Sequence, residues 1–181
     1  MPLHFSEAEL AGRRDRACQL LGEAGLDGLL IFRQESMYYL TGYDTFGYVF
    51  FQCLYLGADG RLMLLTRSAD RRQAEQTSVV KDIRIWVDGP EANPAVELRG
   101  ILEAFGCAGK RLGVEYEAYG LTAANGKRLD AALDGFCALE DASTLVSRLR
   151  VVKSPAEIAY VREAASLADD AWQAGLERTG P

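Results

Sequence analysis

The chain has 181 residues, 49% of them hydrophobic and 25% charged, with a formal net charge of −6 and a pI near 4.9, the profile of an ordinary globular domain. The acidic balance argues against a nucleic-acid surface, because phosphate binding needs clustered cations and the richest basic stretch, RSADRR, is short and mixed. The longest apolar run, YVFFQCLYLG, falls short of the ~20 residues of a membrane span, and MPLHFSEAEL has no basic region followed by an apolar one, so a cytoplasmic protein without a membrane partner is expected.

The first predicted element is a helix. Ser6 reads as its N-cap, Glu9 completes a capping box, and Phe5 stands where it can staple onto Leu10. Leu10, Arg13, Ala17, Leu20 and Leu21 mark its inner side, and Gly25 supplies the stop. DGLLIF is the short apolar run of a buried strand. RQESMYYLTGYDTFGY reads as a short helix and a loop; VFFQCLYLG, the turn ADG and RLMLLT read as a β-hairpin with Phe50 on its first strand. SADRRQAEQTS has helical composition, and IRIWVD alternates as a strand with Ile83, Ile85 and Val87 on one side.

NPAVELRGILEAFG is a helix opened by Asn93-Pro94 and closed near Gly106. RLGVEY is a strand, LTAANGKRLDAAL a helix, and FCALED the last strand before ASTLVSRLR. Strands alternating with helices predict an α/β fold, a mixed β-sheet of about six strands flanked by helices, mixed because the central hairpin is antiparallel. No repeat, low-complexity segment or long linker interrupts it. The boundary falls at Val151 to Ser154, giving residues 1–150 as one domain and 151–181 as a connecting segment and helix. Ser154 caps that helix, Pro155 opens it and Glu157 closes the box; Ile158, Val161, Ala165, Ala168, Trp172 and Leu176 draw an apolar stripe whose partner is expected to be missing.

Candidate chemistry is sparse. His4, the single histidine, stands in a terminus expected to fray, so a His-containing metal site or a Ser-His-Asp triad lacks a well-held imidazole. Cys18, Cys53, Cys107 and Cys137 form no CxxC pair and read as reduced core thiols. GYDTFG lacks the third glycine and the strand-to-helix setting of a dinucleotide fingerprint. Glu115/Glu117 and Asp169/Asp170 are pairs suited to acid/base work, but both fit solvated strand-end and helix-surface positions. Ser36, Ser143 and Ser154 lie outside any G-x-S-x-G elbow, and Ser143 and Ser154 occupy N-cap positions. No catalytic residue and no metal ligand is assigned. What stands out is the aromatic cluster Tyr38, Tyr39, Tyr43, Phe46, Tyr48, Phe50 and Phe51. Part of it is core, whereas Tyr43 to Tyr48, with Gly42 and Gly47 as hinges, forms a loop suited to contacting a ligand or another protein.

MYYLTGY after a strand and short helix, and RLRVVKSPAEIAYVREAASLADDAW at the boundary, resemble the amino-terminal domain and connecting segment of the creatinase/prolidase/aminopeptidase P family. The resemblance runs from FSEAELAGRRDRACQLLGEAGLDGLLIF to the last helix; the family usually has Asn where Ser36 stands. It implies a carboxy-terminal pita-bread domain, absent here beyond its first helix, in which two Asp, one His and two Glu hold a pair of divalent metals. No cofactor is then expected in this chain itself. The implied partners are that catalytic domain, a second subunit of a homodimer, and a peptide or small amide or guanidino substrate.

On the same resemblance, Tyr43, Asp44, Phe46 and Tyr48 are candidate substrate-binding residues acting in trans at the neighbouring subunit's active site. The expected function is that of a non-catalytic domain of a metal-dependent Xaa-Pro peptidase or creatinase-like C–N hydrolase, serving dimerisation and substrate access. A stand-alone binding or structural module is the alternative. An independent enzyme using Glu115 or Asp44 ranks third, since no activated partner can be named for either.

Overall fold

In the computed structural model, which describes residues 3–179, α1 (Glu7–Glu23) starts where Ser6 Oγ accepts the Glu9 N–H at 3.2 Å. It ends at Gly25, with Leu26 N–H bonded to Leu21 O and Gly25 N–H to Gly22 O, the paired bonds that satisfy the last carbonyls of a helix. Leu10, Arg13, Ala17 and Leu21 are its buried residues, and Leu20 is only half-buried. β1 (Gly28–Ile31) follows, buried at every position, then α2 (Gln34–Thr41).

The hairpin comprises β2 (Cys53–Gly57) and β3 (Leu62–Arg67), paired antiparallel with Leu54 opposite Leu64. Its first strand is shorter than expected. Residues 47–50 form a turn closed by Phe50 N–H to Gly47 O at 2.9 Å, so Phe50 is not a strand residue. After a 3-10 turn at Ser68–Asp70 come α3 (Arg71–Thr77) and β4 (Ile83–Trp86). On β4 it is Trp86 that enters the core, donating its indole N–H to Phe51 O at 3.0 Å, while Ile85 and Val87 stay exposed. An edge strand has one flank open, and the single indole outweighs the alternating aliphatic pattern. α4 (Pro94–Ala104), β5 (Arg111–Val114), α5 (Ala123–Leu133), β6 (Ala138–Asp141) and α6 (Leu145–Val151) complete the order.

The six strands lie in the order β4-β3-β2-β1-β5-β6. β2 is antiparallel to both neighbours and the other pairings are parallel, so β2 alone runs against the rest. This is the mixed α/β sheet expected from the sequence. Leu30, Tyr55, Met63 and Leu112 pack on one face with Leu98 and Leu102 of α4 and Leu129 of α5. Leu29, Ile31, Leu54 and Leu64 pack on the other with Ala17 and Leu21 of α1, Leu40 of α2, Ala74 of α3 and Val146 of α6. Burial on both faces explains why the central strands read as unbroken apolar runs.

The chain divides into two compact units between Leu149 and Arg150. The second contains α7 (Pro155–Thr179), started by a reciprocal box in which Ser154 Oγ accepts Glu157 N–H at 3.2 Å and Glu157 Oε2 accepts Ser154 N–H at 2.8 Å. No residue of α7 is buried, and Ile158, Val161, Trp172 and Leu176 are exposed. Among the described residues no helix is long and apolar enough to cross a membrane.

Candidate functional site

Because β2 runs opposite to the other strands, the loop leading into it meets the carboxyl ends of β1, β3, β4 and β5. Open α/β sheets bind ligands at that end. Helix α2 delivers the chain there and is held by hydrogen bonds at both ends. At its start, Ser36 Oγ donates to Glu115 Oε1 at 2.6 Å and Arg33 N–H donates to Glu115 Oε2 at 3.0 Å. At its end, Arg13 Nη1 donates to Tyr39 O at 3.1 Å and Arg14 Nη1 to Leu40 O at 2.8 Å. The guanidinium groups at the C-terminus complement the helix dipole, and the buried carboxyl group fixes the N-terminus through hydrogen bonds.

Beyond α2 the four candidate residues part company. Tyr43 turns inward and is fully buried, its hydroxyl 3.4 Å from Thr66 Oγ1, and burial pushes its ionisation up. The expectation that this loop presents Tyr43 is therefore corrected: the ring belongs to the core around Leu40, Leu54 and Leu64. Asp44 is exposed and is tied to α3 through its N–H to Thr77 Oγ1 at 3.2 Å. Phe46 is 86% exposed, with its N–H directed to Gln73 Oε1 at 3.4 Å. Tyr48 is partly exposed and meets Tyr119 edge to face, ring centroids 6.5 Å apart.

Val49 and Phe50 extend the exposed apolar set, with the Arg67 guanidinium 3.5 Å from the Phe50 ring centroid. Tyr119, 78% exposed, was not singled out in the sequence. Its signal was an aromatic residue before Gly120 in a strand-to-helix connection, and only the fold brings that connection to residues 48–50.

The glycines are not hinges. Gly42 takes φ +78° as the stop of α2, its N–H bonded to Tyr38 O. Gly47 lies where a Cβ would stand 2.1 Å from Gln52 Nε2 and 2.7 Å from Asp70 Oδ2. Thr45, Gln52 and Asp70 are themselves buried and joined, with Gln52 Nε2 donating to Thr45 Oγ1 at 3.2 Å and Arg67 Nε donating to Asp70 Oδ2 at 2.9 Å. The aromatic tip is thus mounted on a satisfied polar base.

A Cβ on Gly120 would lie 2.8 Å from Phe50 O and 3.0 Å from Tyr48 O, both backbone atoms. Gly120→Ala is expected to part the two loops at a cost of about 1–3 kcal/mol and to speed chymotryptic cleavage at Phe46, Tyr48 or Phe50. Unchanged stability and cleavage would show that the loops are not locked together.

Glu115 is not a solvated strand-end acid. It is fully buried, and loss of hydration raises its pKa to about 7, against the lowering effect of the Ser36 hydroxyl and the Arg33 amide. Glu117 is the exposed member of the pair. Ser143 does not act as a plain cap: α6 starts at Leu145, and the Ser143 hydroxyl donates to Asp141 Oδ1 at 2.5 Å and accepts Glu117 N–H at 3.2 Å. His4 is held, with Nδ1 2.6 Å from the Tyr38 hydroxyl.

All four cysteines are free; Cys53 and Cys107 are buried, and burial pushes the Cys53 thiol up. Among the described residues no group of three or more His, Cys, Asp or Glu could hold a metal ion. The described residues of this chain therefore do not fit a divalent metal pair.

The profile of the creatinase/prolidase N-terminal domain matches residues 13–152. The chain is 33% identical to the hydrolase/peptidase y4tM of Sinorhizobium fredii, covering 99% of this chain and 47% of that protein. It is 30% identical to the ectoine hydrolase of Halomonas elongata, covering 91% and 43% respectively. The dipeptidase of Pyrococcus horikoshii superposes with a TM-score of 0.73 at 28% identity, covering 89% of this chain and 42% of that one. The chain thus spans less than half the length of these relatives. With the mixed six-stranded sheet and the matched span in agreement, the chain belongs to the creatinase/prolidase N-terminal domain family.

Proposed function

We propose that this chain is the non-catalytic N-terminal domain of a cytoplasmic metal-dependent hydrolase that cuts C–N bonds, either an Xaa-Pro peptidase or a creatinase-like enzyme acting on a small amide or guanidino compound. Residues 1–150 form that domain and 151–181 the connecting segment with the first helix of a catalytic domain, which supplies the divalent metal pair. The domain contributes to dimerisation and to substrate access.

The observation that carries this reading is the aromatic tip: Phe46, Tyr48 and Tyr119 project from the carboxyl ends of the strands on a base too well satisfied to be a disordered loop. Relatives more than twice as long, whose names state hydrolase, peptidase or dipeptidase, support it. Placed over the active site of a neighbouring subunit, the rings exclude water from a small substrate. Toward a cationic one they add a cation–π attraction of roughly 0.5–2 kcal/mol, and Asp44 stands ready to pair with its amine.

The test at the level of this chain is direct. Chain 1–181, supplied with Mn2+ or Zn2+, is expected neither to bind the ion stoichiometrically in calorimetry nor to hydrolyse Xaa-Pro dipeptides, creatine or ectoine. Turnover that scales with protein concentration and disappears in Glu115→Gln would replace this reading with that of an independent enzyme.

A further inference from the structure

The start of α2 is fastened by a carboxyl group that has hydrogen-bond donors but no ion pair among the described residues. Glu115 and Ser36 are both fully buried, and the contacts are Ser36 Oγ to Oε1 at 2.6 Å and Arg33 N–H to Oε2 at 3.0 Å. The Glu115 N–H is bonded to Leu30 O, so the backbone of β5 is fixed to β1 at the same point. The Arg33 guanidinium makes its hydrogen bonds elsewhere and acts on Glu115 only through space: Nε and Nη2 donate to Glu117 O at 3.1 and 2.6 Å, and Nη1 donates to Ser147 Oγ at 2.9 Å. For a fully buried acid with no ion pair of its own, loss of hydration outweighs the donors and the distant Arg33 charge, so the ionised form is poorly solvated.

The other titratable and charged groups around this junction are few. On β2, the Cys53 thiol is pushed up by burial and stays protonated. On β6, Asp141 lies beside Val114 in the sheet register and is held low by the Ser143 hydroxyl and amide, so it stays ionised. Glu35 sits in the first turn of α2 with Oε2 buried and unpartnered, and Glu117 pairs with Arg33 at 3.7 Å. His4 touches α2 through the Tyr38 hydroxyl at 2.6 Å.

We propose that Glu115 is a proton-responsive positioning residue, fastening the start of α2 to the end of β5 when protonated and loosening helix α2, and with it the lead into the aromatic loop, when ionised. Its bearing on substrate access rests on the reading of that loop given above; the fastening itself does not. The sign follows from linkage. When α2 opens locally and Glu115 meets water, the acid titrates near its ordinary 4.5, against about 7 in the closed state. Between those values the open state binds fewer protons, so opening grows with pH by up to about tenfold per unit. Below the window both states are protonated, and above it both are ionised, so the dependence vanishes at either end.

Hydrogen exchange of chain 1–181 at pH 5, 6, 7 and 8, corrected for intrinsic rates, tests this. Protection of the α2 amides, Met37 to Thr41, is expected to fall by nearly tenfold per pH unit up to pH 7 and then to level off. Glu115→Gln should give flat protection, whereas His4→Asn should keep the slope. A flat wild-type profile, a slope surviving in Glu115→Gln, or a slope lost in His4→Asn would overturn the proposal. Should Glu115→Gln fail to fold, the carboxyl carbon of Glu115 in the wild-type chain is titrated by NMR. A midpoint near neutrality, moving upward in Ser36→Ala as the ionised form loses a donor, supports the proposal; a midpoint below 5 rejects it. None of these readouts involves turnover, so failure of the loop's proposed role and failure of this fastening are separable.

Discussion

Arg13→Ala is expected to lower the stability of this chain by about 3 kcal/mol, because three distinct losses coincide at one buried side chain. Arg13 is 1% exposed. Its guanidinium carbon lies 4.1 Å from the centroid of the Phe5 ring and 4.4 Å from that of Tyr39, so the cation is packed against two aromatic rings. Nη2 pairs with Glu9 Oε1 at 2.6 Å, and Nη1 donates to Tyr39 O at 3.1 Å near the end of α2. Truncation opens a cavity, removes the cation from both rings, and strips a buried carbonyl of this donor.

For a chain of this size such a loss corresponds to a fall of roughly 6–12 °C in Tm. Arg14 makes the matching bond to Leu40 O from a partly exposed position, so Arg14→Ala is expected to cost less. Thermal melts of the two variants side by side measure the difference. A loss for Arg13→Ala no greater than that for Arg14→Ala would mean that the ring contacts and burial add nothing.

That Arg13 lies on the inner stripe of α1 was legible in the residue spacing; what it touches was not, since Tyr39 is 26 positions away. The same division runs through the molecule. Helix starts at Ser6 and Ser154 were legible because a cap and its box lie within four residues, and the hairpin turn at Ala58 to Gly60 because its chemistry is local.

Features decided by distant partners were misread. Residues 48–51 are aromatic and β-branched and so suggest a strand, but the turn at Gly47 and the stacking of Arg67 on Phe50 override that propensity. Glu115 looked solvated because its two donors come from 79 and 82 residues away. Tyr43 and Phe46 are indistinguishable as loop aromatics by composition, yet one fills the core and the other is almost fully exposed. The candidate site was thus partly legible: the loop and its outward-facing Asp44, Phe46 and Tyr48 were named from the sequence, Tyr43 was wrongly placed among them, and Tyr119 entered only through the crossing of two loops.

In the proposed function Phe46 and Tyr119 border the substrate of a hydrolytic site outside this chain, and steady-state kinetics of the longer enzyme proposed to carry this domain put that to the test. Apolar contact is worth about 25 cal/mol per Å2, so losing part of one ring's contact removes about 1.4 kcal/mol, equivalent to about tenfold in binding. Contacts that act equally on ground and transition states appear in KM and not in kcat. Phe46→Ala and Tyr119→Ala, each confirmed by thermal melt, metal content and sedimentation as a folded, metal-loaded dimer, are therefore expected to raise KM by about tenfold while leaving kcat within about twofold. Unchanged KM and kcat in both folded variants would leave the aromatic tip without a part in substrate access.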